Sequence, residues 1–113
     1  MELEKNLVSG SMSLLVMKLL EDGDLYGYQM IAELRRRSDD TFRLKAGTLY
    51  PLLHGLEQRG LVTAYERTAE SGKTRRYYHL TKQGRDALQE KENAWHAYAQ
   101  AVGRVLKGGA CLA

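Results

Sequence analysis

The residues of this chain that can do chemistry are mostly cations, and their placement says more than their number. Residues 35–85 carry 12 basic and 5 acidic side chains, a local charge of +7, against −4 for residues 1–34 and 0 for residues 86–113. Lys45, Arg59, Lys73, Arg75 and Arg76 all fall in that middle segment. A bias concentrated in this way is suited to neutralising phosphates; the plainer alternative is a solvated basic face. The other reactive types are scattered. His54, His79 and His96 stand on three separate segments, and no Cys/His spacing suits zinc. Glu57 and Glu66 have no nucleophile constellation near them, and no glycine-rich phosphate loop follows a strand. No metal, cofactor or enzyme active site is expected. The single cysteine, Cys111, excludes an internal disulfide and lies in a small-residue run, Gly108-Gly-Ala-Cys-Leu-Ala113.

These cations need elements to position them. Met12, Leu15, Val16, Leu19 and Leu20 recur at helical spacing and predict a first helix over 11–21. Leu3 and Leu7 extend the pattern backwards, although Ser9-Gly10-Ser11 weakens its continuity. Asp22-Gly23-Asp24 ends it. A second helix is predicted from Tyr26-Gly27-Tyr28 to about Arg37, with Met30, Ile31 and Leu34 inward. Arg35, Arg36 and Arg37 in its last turn either complement the helix dipole or meet phosphates. Phe42 and Leu44 then plug the core. A third helix covers about Ala46 to Arg59, with Leu49, Leu52, Leu53 and Leu56 on its apolar face and Thr48, Tyr50, His54 and Glu57 projecting elsewhere. Pro51 falls early in this helix, Gly47 stands four residues before it, and Gly60 is a fitting stop.

After Gly60-Leu61-Val62, one strand passes through Ala64 and a second covers Tyr77 to Leu80. Between them lies a polar basic tip over 69–76, with turn chemistry at Ser71-Gly72. A helix followed by a two-stranded hairpin with a cationic tip is a winged helix-turn-helix, in which the helix enters a DNA major groove and the hairpin reaches neighbouring phosphates. Thr81 is a good N-cap for a last helix running to about Lys107, roughly 40 Å long. Along it Leu88, Trp95 and Val102 recur every seven residues, with Tyr98 and Val105 interleaved and Leu106 beside them. Such a seam takes a helix of a second subunit or packs back on the first helix of its own chain. A dimer is expected, with Leu15, Leu19, Leu88, Trp95, Tyr98, Val102 and Val105 at its interface. Two-fold symmetry would set two recognition helices about 34–36 Å apart.

The expected architecture is therefore mainly α with a small β-hairpin. Residues 1–80 form a winged helix-turn-helix domain, 81–107 a long C-terminal dimerisation helix and 108–113 a flexible tail. The N-terminus lacks a cationic leader pattern, and no apolar stretch is long enough for a bilayer, so the chain reads as soluble and cytoplasmic.

Four segments carry a resemblance: Leu25-Tyr-Gly-Tyr28, Gly47-Thr-Leu-Tyr-Pro-Leu-Leu53, Leu56-Glu-Gln-Arg-Gly-Leu-Val62, and Arg75-Arg-Tyr-Tyr-His-Leu-Thr81 with Gly84. In order and spacing they resemble the PadR-like family of bacterial transcriptional regulators, over roughly residues 12–100. The length resembles the branch with a single C-terminal dimerisation helix. The resemblance implies a homodimeric repressor on a near-palindromic operator, released by a small effector or a cellular signal. It implies that Tyr50 meets DNA with Thr48, His54 and the preceding Lys45 beside it, and that Tyr26 and Tyr28 lie near phosphates. Lys73, Arg75 and Arg76 would serve the wing. Gly55 stands where many relatives carry a basic or polar residue. Some short members bind flat aromatic molecules between paired tryptophans, which implies a slot at Trp95, with Glu92, His96 and Tyr98 supplying polarity. The alternative for Trp95 is packing in the dimer seam. The rival for the whole chain is a winged-helix protein-interaction module without DNA binding, since the third helix itself has few cations.

Overall fold

The computed structural model describes residues 5–108, with side chains from Ser11 onward. Expectations placed on Leu3, on the Leu7 side chain and on residues 109–113, Cys111 among them, lie outside that span. The elements follow in the order α1 (Lys5–Leu20), β1 (Leu25–Tyr26), α2 (Gly27–Arg37), α3 (Ala46–Gln58), β2 (Val62–Thr68), β3 (Thr74–Leu80) and α4 (Lys82–Leu106). The fold is mainly helical with a small antiparallel sheet and a long last helix. No helix among the described residues is long and apolar enough to cross a membrane.

One apolar core joins the elements. Val16, Met17 and Leu20 of α1 meet Met30 and Leu34 of α2, Leu49, Leu53 and Leu56 of α3, Tyr78 and Leu80 of β3, and Leu88 of α4. Leu44 is buried with them and Phe42 packs against the cluster, as their positions between two helices require. α1 runs through Ser9-Gly10-Ser11 without a break. Tertiary packing of its apolar face outweighs a local propensity penalty of about 1 kcal/mol for the glycine. Pro51 lies inside α3, at its sixth residue, and the helix continues through it to Gln58.

α3 ends in a Schellman motif. Gly60 takes a φ of +74° and donates to the Glu57 carbonyl at 3.0 Å, while the Leu61 N–H reaches the Leu56 carbonyl at 3.0 Å. The turn feeds β2 and brings the Leu61 carbonyl to the start of α4. There the Thr81 N–H donates to Leu61 at 3.1 Å, and the Thr81 hydroxyl donates to the carbonyls of Gly60 and Leu61 at 2.8 and 3.0 Å. The same hydroxyl oxygen accepts from the Gly84 N–H at 2.9 Å, capping α4. Gly84 is obligatory here: a Cβ would stand 2.1 Å from the Leu61 carbonyl oxygen.

The structure departs from the sequence expectation in three places. The sheet has three strands in the order β1-β3-β2, because Leu25 and Tyr26 pair with Tyr78 and Tyr77. The wing strands are longer than expected, with Thr68 opposite Thr74, so that the tip is 69–73 and Arg75 and Arg76 are strand residues. Finally, Leu19 and Leu88, expected at the subunit interface, are 3% and 1% exposed within the single chain. They belong to its own core, because the first half of α4 lies on α1 and only the second half leaves the body.

Asp24, immediately before β1, fastens that strand to the wing. The Tyr65 hydroxyl donates to it at 2.7 Å and His79 Nδ1 lies 2.8 Å from its other oxygen, which requires the proton on Nδ1. Partial burial works to raise the Asp24 pKa, but the Tyr65 and His79 contacts outweigh it and hold the carboxyl below its ordinary 3.8. A depressed carboxyl stabilises the fold above its unfolded-state value, and that contribution disappears as pH falls through the lower folded value. Asp24→Asn should therefore lower the melting temperature at pH 7 and shrink the loss of stability below pH ~4; an unaltered acid limb in thermal melts would contradict the latch. Gly84→Ala should cost about 2–3 kcal/mol in urea unfolding, since overpacking against backbone has no soft neighbour to yield.

Candidate nucleic-acid interface

α3 presents two opposed faces. Leu49, Leu53 and Leu56 are buried, whereas Thr48, Tyr50 and His54 are exposed on the outer side, with Lys45 just before the first turn. A polar face on a helix whose back is pinned by three leucines is held at a fixed depth, which groove entry requires. Tyr50 is braced as well. Its hydroxyl lies over Gly27, where a Cβ would be 2.2 Å away. Glycine at the first position of α2 therefore lets the hydroxyl end of Tyr50 approach the backbone of the neighbouring helix. The Gln29 side chain accepts from the Tyr26 N–H at 3.1 Å and closes that same helix start. Tyr28 is exposed one residue beyond Gly27, while Tyr26 is half-buried.

The cations divide into engaged and open sets. Asp40 pairs with Arg35 at 2.8 Å and with Arg43. Glu33 pairs with Arg36 and Arg37, which hold its carboxyl down at about 2. The three last-turn arginines of α2 are thus occupied by acids of their own segment. Arg76, expected at the wing tip, points to the other face from Arg75, reaches Glu57 at 3.3 Å and lies over the Tyr78 ring. Adjacent strand residues face opposite sides, so the two arginines cannot act together. Among the described residues, Lys45, Arg59, Arg67, Lys73 and Arg75 have no carboxylate within 4.0 Å. Lys73 sits in the tip, where Gly72 adopts a φ of +88°.

Sequence reasoning missed Arg67. It stands opposite Arg75 in the β2–β3 register, on the outer sheet face with Tyr65, Tyr77 and Tyr26. Counting the hairpin register outward from the buried Val62 and Leu80 pair would have found it.

The residues associated with an effector separate into two groups. A groove of about 320 Å³ between α1 and α4 is lined by Ser11, Ser13, Leu14, Lys91, Ala94, Trp95 and Tyr98. Glu92 is not in that lining; it pairs with Lys18 at 3.0 Å, and Lys18 also holds Glu21 at 2.8 Å. His96 packs edge-on against Trp95 at 5.4 Å rather than facing the groove.

Comparison with known proteins agrees with this geometry. Residues 16–90 match the family described as Transcriptional regulator PadR-like family. The chain belongs to that family. A transcriptional regulator of Mycobacterium tuberculosis is 38% identical over 81 residues, covering 72% of each chain. A PadR family transcriptional regulator from Eggerthella lenta superposes with a TM-score of 0.78 at 34% identity, over 89% of this chain and 86% of that one. A transcriptional regulator from Clostridium thermocellum gives a TM-score of 0.81 at 27% identity, over 88% and 97%. The α3 and wing surfaces described above are accordingly those of a PadR-like winged helix, and the chain is a DNA-binding transcriptional regulator.

The Tyr50–Gly27 contact yields a test of the interface. The hydroxyl is the far end of a movable side chain, so Gly27→Ala should displace Tyr50 rather than unfold the helix pair. Stability in urea should change by less than about 1 kcal/mol, while affinity for DNA measured by fluorescence anisotropy falls as it does in Tyr50→Ala. Full affinity in both variants would remove Tyr50 from the interface.

Proposed function

We propose that this PadR-family regulator is a homodimeric repressor of a near-palindromic operator, released by a small planar aromatic effector. The observation that carries the reading is the far end of α4. Tyr98, Val105 and Leu106 are 68%, 77% and 79% exposed, and Trp95 is 48% exposed on the same half of the helix. A face this apolar is suited to a partner. A second copy of α4 is the simplest partner, because it presents the same residues under two-fold symmetry. Leu15, Trp95, Tyr98, Val102 and Val105 remain the candidate interface, without the internally buried Leu19 and Leu88. Two copies would then offer two α3 faces and two wings to one duplex, and a dimer seated on a promoter represses by occlusion.

The effector reading rests on the groove beside Trp95. In a dimer through α4 the second Trp95 would approach it, and two indoles make a planar slot. A ligand there acts where the subunits meet, so it can change the spacing of the DNA-reading helices without touching them. Quenching of the lone tryptophan by planar aromatics, with loss of DNA binding over the same concentration range, is the expected outcome.

Val105→Glu combined with Leu106→Glu should give a monomer in light scattering and lower operator affinity by about 100-fold or more through lost avidity. If the dimer neutralises about eight phosphates, log K should fall against log salt with a slope near −7. A flat salt response, or no retardation of promoter DNA at low salt, would favour the protein-interaction module.

A further inference from the structure

Arg67 and Arg75 stand directly opposite each other on β2 and β3. Like charges in that register repel and weaken a hairpin. Elsewhere this chain answers such crowding with carboxylates, as Glu33, Asp40 and Glu57 do for their arginines. Among the described residues no carboxylate comes within 4.0 Å of Arg67 or Arg75. Each guanidinium lies over a tyrosine instead, Arg75 at 4.6 Å from the Tyr26 ring centre and Arg67 at 5.6 Å from that of Tyr77.

The rings are themselves fixed. Tyr26 meets Tyr77 edge to face at 5.3 Å, and Tyr77 stacks on Tyr65 at 5.7 Å with 16° between planes. Asp24 holds the Tyr65 hydroxyl at 2.7 Å. Side chains from all three strands thus set two positive forks side by side on the outer sheet face. Stacking on a ring occupies the flat of a guanidinium and leaves its edge N–H donors available, and a rigid fork matches phosphate oxygens. A side chain that already rests on a ring has less freedom to lose when a ligand arrives.

The geometry points to a phosphate clamp, in which Arg67 and Arg75, braced by Tyr77 and Tyr26, grip one backbone phosphate of duplex DNA beside the groove that α3 enters. The clamp rests on the DNA-binding reading and adds a sequence-blind contact to it. Arg76 takes no part, since it faces the other side of the sheet and is held by Glu57. Tyr26 and Tyr77 are positioning residues.

The test is fluorescence anisotropy with a random-sequence duplex and with the region upstream of the gene, over a salt series. R67Q and R75Q should each weaken binding about tenfold per clamp, the size expected for a charged hydrogen bond, and so about 100-fold for a dimer with two clamps, on both duplexes. The double variant should lose less than the product of the two single losses, because both side chains hold one phosphate. In a dimer with two clamps, the double variant should flatten the salt slope by about 1.8. R67K keeps the charge and loses the stacked fork, so its slope should match the unsubstituted protein while its affinity falls. All four variants should unfold at or above the urea concentration of the unsubstituted protein. Unchanged affinity in R67Q and R75Q, single losses that multiply in full, or weakened binding that tracks lost folding would each overturn the clamp while leaving DNA binding in place. If the unsubstituted protein binds neither duplex at low salt, the DNA-binding reading falls and takes the clamp with it.

Discussion

Thr81 and Gly84 hold the first turn of α4 against the carbonyl of Leu61, and the direction of the long helix follows from that contact. The Leu61 carbonyl is available because Gly60 turns α3 back on itself. Thr81 answers it with both its N–H and its hydroxyl, and the hydroxyl oxygen caps α4. One small cluster therefore fixes the end of α3, the root of the wing and the start of α4. The relative placement of the three is settled within a few residues, at a point where no side chain larger than hydrogen fits on residue 84.

Around that anchor the chain sorts its charge by simple alternation. On β3, Arg75 and Arg76 are neighbours in sequence and strangers in space. One rests on Tyr26 with its donors open, and the other is neutralised by Glu57 beside Tyr78. On α2 three consecutive arginines are absorbed by Glu33 and Asp40. Arg35 ties the turn after α2 through Asp40, and Arg36 and Arg37 fold back on Glu33 within the helix. The net positive charge of the middle segment thus overstates its unpaired cations. Among the described residues, those without a carboxylate partner include Lys45, Arg59, Lys73 and the two arginines on the outer face of the wing.

The helices were legible in the sequence because their apolar residues recur at helical spacing and their ends carry recognisable residues, Thr81 and Gly60 above all. The wing was less legible for a physical reason. Its strands extend beyond the core, so Glu66 to Thr68 and Thr74 to Arg76 have no buried partner and show no apolar alternation. Thr74 to Arg76 therefore read as part of the basic tip, and nothing in the sequence singled out Arg67 on the first strand. β1 is only two residues long and is defined by pairing with a strand far along the chain, which no local pattern announces. The seven-residue spacing on α4 spans two surfaces. Leu88 closes the chain's own core, while Tyr98 and Val105 face outward. Periodicity reports which side of a helix is apolar, and it is silent on whose atoms cover it.

α4 is a run of 25 residues, about 37 Å long; Thr81 and Gly84 fix its start and Leu88 and Glu92 tie its first half to the body, while Tyr98, Val105 and Leu106 stay exposed. In the proposed dimer its exposed end would act as a lever on that body. A tilt of about ten degrees over the last ~18 Å would move the tip by about 3 Å, close to the rise of one base pair. In the proposed dimer the two levers meet at their free ends, so small repacking there becomes a change of spacing at the DNA. Such a pair would adapt to operators whose halves differ in spacing by a base pair.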